Sequence, residues 1–222
     1  MVRYKVVFAV AITTLLVLSQ SASPKASGQD AAPDEYPVIE EGTRPTAYEY
    51  NMRGDYKMAL DTSIEVFSST ASDSMNSLLA AYAMRGLESH EGSIAFSTLA
   101  LEHATASWQS VDALVGRAAS YIALGKRSAA LEDLKSAERA ANLMIADAPD
   151  EALPYYQMAC VCSMKSRYSE QDKQRAAEMR KSAIAYLTIA MQNGYDKLDH
   201  ARNDLDLTPL QSEQSFVDLT KQ

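Results

Sequence analysis

One recurring spacing restricts the fold of this chain more than any other feature. Tyr50 is followed by Gly54 and then Ala59-Leu60, and Tyr121 is followed at the same intervals by Gly125 and then Ala130-Leu131. Between them stand Tyr82, Gly86 and, after a longer loop, Ala95-Phe96; a weaker fourth copy places Cys162, Ser166 and, after an insertion, Ala183-Ile184. The tyrosine-type positions are separated by 32, 39 and 41 residues, which brackets the period of about 34 expected of stacked helix-turn-helix units. From Pro45 onward the chain is rich in Ala, Leu, Met, Glu, Lys and Ser and shows no convincing period-two alternation. That pattern predicts an all-α fold.

Each slot of the best copy has a physical reason. Ala118 is small where the two helices of a hairpin must approach closely, Tyr121 is large where one pair packs on the next, and Gly125 ends the first helix through a left-handed cap. Ala130, Leu134 and Ala137 then supply the buried stripe of the returning helix. A single hairpin cannot bury its own stripe, so several must stack.

Through Leu114, Ala118, Tyr121, Gly125, Ala130, Leu134 and Ala137 the chain resembles the tetratricopeptide repeat family, over roughly residues 46 to 195. The resemblance implies an α-solenoid of about four helical hairpins. Trp108 to Leu124 and Ser128 to Ala146 read longer than family helices, and the closing proline arrives late, at Pro149. The C-terminal part, 149–222, is similar to the end-of-group repeat that closes such arrays in certain bacterial proteins. Ala159, Cys160, Ala190, Gly194, Tyr195, Asp204, Asp206, Leu207, Leu210 and Phe216 carry that likeness. It implies a short helical cap, not an activity. The residues themselves agree: Gly194 is placed to stop a helix, Thr208-Pro209 to start another, and Leu210, Phe216 and Leu219 to give the ending a face that docks.

The N-terminus reads as an address. MVRYK carries two positive charges, VVFAVAITTLLVL carries none, and Ser21 and Ser23 follow as small residues. This predicts a cleaved secretory leader over 1–23, because the apolar run is short of the roughly 20 residues a membrane helix needs. An uncleaved N-terminal anchor is the alternative. Residues 24–45 hold four of the seven prolines and no apolar stripe, as a flexible linker would. Residues 46–222 are then a repeat domain in the periplasm, cell envelope or exterior. Of 21 basic and 29 acidic residues, the leader removes only Arg3 and Lys5, which leaves an excess of ten negative charges. Such acidity excludes nucleic acid as a partner, and leader cleavage leaves no integral membrane domain.

No catalytic motif is present. His90, His103 and His200 are scattered, and no metalloprotease, paired Cys-x-x-Cys or glycine-rich phosphate motif occurs. Cys160 and Cys162 lie two apart, about 200° around a helix, and should not bridge. Asp204 and Asp206 lack the glycine and bidentate glutamate of a calcium loop. We therefore expect no cofactor and no metal.

The resemblance implies that the first helix of each hairpin lines a concave groove that takes a peptide or helix. Its slots fall on Tyr48, Asn51 and Met52; on Asn76, Ala80 and Met84; on Asp112, Val115, Ala119 and Ala123; and on Tyr156, Cys160 and Met164. Three methionines suit a surface that repacks around a partner. At helical spacing the same stripe also reads as core. Asp112 and Gly116 stand where a carboxylate clamp for acidic chaperone tails would need basic residues, so that partner is disfavoured. Two functions stay open: a non-catalytic protein-interaction scaffold, which the residues favour, and an enzyme or small-ligand binder built around Tyr156, Cys160 and His200.

Overall fold

Described in this computed structural model are residues 45–67 and 73–221, and all of them belong to one compact unit. The leader and all but the last residue of the linker lie outside the described residues. The described chain is helical without strands: α1 Ala47–Met52, α2 Tyr56–Phe67, α3 Ser74–Gly86, α4 His90–Glu102, α5 Ser107–Ala123, α6 Arg127–Asp147, α7 Ala152–Tyr168, α8 Lys173–Gln192, α9 Leu198–Asn203, a 3-10 helix Leu205–Leu210, and α10 Gln214–Thr220. None of these helices is long and apolar enough to cross a membrane.

Local chemistry sets the helix starts. Thr46 and Glu49 form a capping box at α1: the Thr46 hydroxyl accepts from the Glu49 amide at 3.3 Å, and the Glu49 carboxylate accepts from the Thr46 amide at 2.7 Å. The carboxylate of Asp73 accepts from the Met75 amide at 2.8 Å to begin α3, and that of Asp172 from the Arg175 amide at 3.1 Å to begin α8.

The helix ends recur as one motif. The amides of Asp55, Ser89, Lys126 and Tyr195 each donate to the carbonyl five residues back, namely Tyr50, Met84, Tyr121 and Ala190. The residue before each donor is left-handed: Gly54 at φ 75°, Glu88 at φ 58°, Gly125 at φ 70° and Gly194 at φ 99°. Gly54, Gly125 and Gly194 thus end helices as their positions in the sequence predict. Gly86 differs: it is the last residue of α3, and Glu88, two residues on, takes the left-handed position. Gly86 instead serves close packing. A Cβ there would lie 2.4 Å from the Tyr56 ring, so the glycine lets α2 press against α3.

Consecutive helices pack on each other from α1 through α8, most extensively α7 on α8, α5 on α6 and α3 on α4. The first member of each pair also meets the first of the next, α1 with α3, α3 with α5 and α5 with α7. Two apolar cores result. The smaller one joins Ala59 and Leu60 of α2 to Ala80, Ala81, Ala83 and Met84 of α3 and Phe96 of α4. The larger runs from Val111 on α5 to Phe216 on α10, with Leu134, Leu187, Leu207 and Leu210 fully buried. Arg117 on α5 grips Asp133 on α6 through two 2.8 Å bonds, and Arg180 on α8 holds Glu213, ahead of α10, at 2.6 Å.

The chain end departs from the sequence reading in one respect. Thr208 and Pro209 lie inside the 3-10 helix and do not begin it. Asp204 is the N-cap, accepting from the Asp206 amide at 2.9 Å. A short carboxylate reaches the amide two residues on more directly than Thr208 can serve a later start.

Candidate functional site

The first helices α3, α5 and α7 present one common face, and the chain's own closing segment, Asp204–Leu210, lies against it. The 3-10 helix packs chiefly on α7 and also touches α5, α8 and α9. Leu207 and Leu210 bury their side chains completely. Between those apolar anchors and the helices lies a cluster of polar groups.

Each polar group of the segment meets a specific partner. Nη1 of Arg85, on α3, donates to Oδ1 of buried Asp206 at 2.5 Å. The Tyr82 hydroxyl accepts from the Leu205 amide at 2.7 Å and donates to the Asn203 carbonyl at 3.3 Å. From α7, the Tyr156 hydroxyl donates to Oδ2 of Asp204 at 2.6 Å, and the Cys160 thiol points to the same oxygen at 3.8 Å. On α5, Asp112 accepts from Gln157 of α7 at 2.8 Å. Arg85 also lies over the Tyr82 ring, 5.0 Å from its centre, and passes Gly116, whose missing Cβ would sit 3.6 Å from Nη1. Beside this cluster Tyr156 stacks on Tyr195 at 4.4 Å, and the Tyr195 hydroxyl meets Nδ1 of His200 at 2.5 Å.

Burial governs the electrostatics. Loss of solvent pushes the Asp112 carboxyl up to about 7, with Asp206 and Asp204 adding to the rise against the Gln157 hydrogen bond. Asp206 is pushed up to about 6 by burial; Arg85 opposes the rise and Asp204 adds to it. Burial, and then the neighbouring carboxylates, hold the Cys160 thiol and the Tyr156 phenol well above their ordinary values. Burial lowers His200. Arg85 is the reverse: burial alone would lower it, but the attraction of Asp206 keeps it raised and charged.

No protein-family model matches this chain, and no curated protein matches it either.

The predicted groove residues all lie on the first helices but divide between several environments. Tyr156 and Cys160 meet Asp204 of the closing segment, and Asp112 is bonded beside them to Gln157. Tyr48 faces His200, with ring centres 6.0 Å apart, and lines with Met52 an open cleft of about 510 Å³ bounded by Arg53, Lys197 and Asn203. Asn51 is buried and donates to the Leu79 carbonyl at 3.0 Å. Asn76 bonds Asp73 at the start of α3. Ala80 and Met84 belong to the smaller core, with Met84 against Gly92 of α4. Val115, Ala119 and Met164 are buried in the larger core, and Ala123 is exposed. Cys160 and Cys162 are buried free thiols.

Sequence reasoning passed over Arg85 and Gln157 and took Tyr82 only as a repeat position. Arg85 and Tyr82 meet residues more than 120 positions away. No local pattern announces such a contact. Among the described residues, Cys160, Asp204 and Asp206 are also near enough to one another to be weighed as metal ligands, with donor atoms within 4.8 Å. Asp206, however, is already engaged by Arg85, and burial disfavours the thiolate a soft metal would need.

Proposed function

We propose that this protein is an exported, non-catalytic interaction scaffold of tetratricopeptide type, an α-solenoid of about four hairpins whose first helices form a docking face for a peptide or short helix. One observation carries the reading: the common face of α3, α5 and α7 already holds a peptide segment. Tyr82 takes its main-chain amide, while Arg85 and Tyr156 take its side-chain carboxylates. These are the contacts by which a groove holds a ligand in cis or in trans. Further support comes from the contacts of α1 with α3, α3 with α5 and α5 with α7, the nearest-neighbour pattern of a stacked array. A nucleophilic role for Cys160 is disfavoured because burial keeps the thiol protonated.

The test uses the chain's own segment as ligand. A synthetic peptide of residues 203–212, NDLDLTPLQS, is titrated by fluorescence anisotropy into the wild-type protein and into Leu207→Ser, whose closing segment is loosened. The loosened protein, with helical circular dichroism intact, should bind the peptide, and the wild type should bind it at least tenfold more weakly. Absence of binding to a folded, loosened protein at millimolar peptide would remove the docking reading.

A further inference from the structure

The closing segment is fastened by a charge arrangement that does not balance. Asp112, Asp204 and Asp206 supply three carboxylates, and Arg85 is the guanidinium bonded into the cluster. Asp204, Asp206 and Arg85 are all nearly inaccessible to water. Two buried anions, with half-buried Asp112 beside them, against one cation are costly, because each excess charge loses hydration without a counter-charge. Adding protons removes the excess without moving an atom of the backbone.

We propose that Asp112 and Asp206, crowded with Asp204 against one guanidinium, make the closing segment a proton-held latch that stays shut in mild acid and loosens as the pH rises toward neutrality. The groups facing the carboxylates come from every side of the cluster. Arg85 and Tyr82 project from α3, Tyr156, Cys160 and more distant Arg167 from α7, Tyr48 from α1, and His200 from α9. Arg85 and Arg167 favour ionised Asp206; burial and the other carboxylates oppose it.

The sign follows from linkage. Asp112 and Asp206 are raised in the latched state, to about 7 and about 6, and return to ordinary carboxylate values near 3.8 once hydrated. The latched form therefore holds protons that the released form does not. Stability from these groups is complete below the ordinary carboxylate range and falls as the pH climbs to about 7. Across that interval each retained proton makes release about tenfold more favourable per pH unit. His200, lowered by burial, works in the opposite direction below its ordinary value and offsets up to one of the two retained protons, which leaves a net slope of about tenfold per pH unit.

The latch needs no partner, so its test is separate from that of the docking face. Amide hydrogen exchange of the full chain is followed from pH 5 to 8 and corrected for the intrinsic pH dependence. The Leu205 and Asp206 amides, bonded to Tyr82 and Asp204, should lose protection about tenfold per pH unit between 5 and 7. The fully buried core around Leu187 should hold its protection. Asp112→Asn should flatten the slope while the protein stays folded. Protection that is flat with pH in the wild type would overturn the latch, as would loss shared equally with the α8 core. A third outcome would also overturn it: protection restored at pH 8 by zinc chloride, with no pH slope in EDTA, would put a cation where the latch requires protons.

Discussion

Replacing Arg85 with leucine is expected to cost about 3–5 kcal/mol of unfolding free energy, because it strands the Asp206 carboxylate in a buried site. The cost is not the worth of the ion pair. It is the penalty of an uncompensated charge beside Asp204 with only 7 % of Asp206 exposed. Without the guanidinium, Asp206 takes a proton more readily, so the loss should be larger at pH 8 than at pH 5. Replacing both partners, as Arg85→Leu with Asp206→Leu, should recover much of the loss, since an apolar pair leaves no orphaned charge. Urea unfolding of the wild type, both single variants and the double variant measures these terms. Equal stability of Arg85→Leu and wild type would mean that the segment does not rely on the ion pair.

Leu207→Ala is the second large effect. Leu207 is fully buried in the larger core, at the centre of the closing segment. Truncating such a leucine typically costs about 2–5 kcal/mol through lost transfer energy and a residual cavity. For a chain of this length the thermal midpoint should drop by roughly 5–15 °C. The damage should be local. A shortened anchor weakens the hold on α7 while the contacts between α3 and α4 stay intact, so exchange should accelerate first in 204–210. A midpoint within a degree of wild type would place Leu207 outside the core.

Gly54, Gly125 and Gly194 could be read as helix ends because a left-handed residue is a local demand that glycine meets without strain. Ala118, Ala130, Leu134 and Ala137 were readable as buried because 3.6-residue periodicity shows which side of a helix faces inward. Gly86 shares the spacing but serves the ring of Tyr56, and a single chain gives no sign that a side chain from another helix needs that space. Met84 illustrates the same limit: as a stripe residue it suits both a groove and a core, and the register of α3 turns it toward Gly92.

The site was harder to see than the fold for a related reason. Asp204 is the helix start that the sequence reading puts at Thr208-Pro209, and the local pattern does not say what else its carboxylate meets. Tyr156 and Cys160 lie on α7. That their partner is Asp204, more than 40 residues onward, depends on the chain returning over α7. Arg85 escaped notice because exposed arginines are the rule, and a buried one is identified only by the carboxylate that neutralises it.

The central claim is that the chain's own end covers the common face of its first helices. Nuclear Overhauser contacts between the Tyr82 ring protons and the Leu205 amide proton test it most directly, since the hydroxyl and amide nitrogen are 2.7 Å apart. In the full chain at pH 5 to 6 those contacts should be present, and Tyr82→Ala should speed exchange of the Leu205 amide. Their absence in a folded protein, with Leu205 exchanging as freely as an unstructured amide, would contradict the claim.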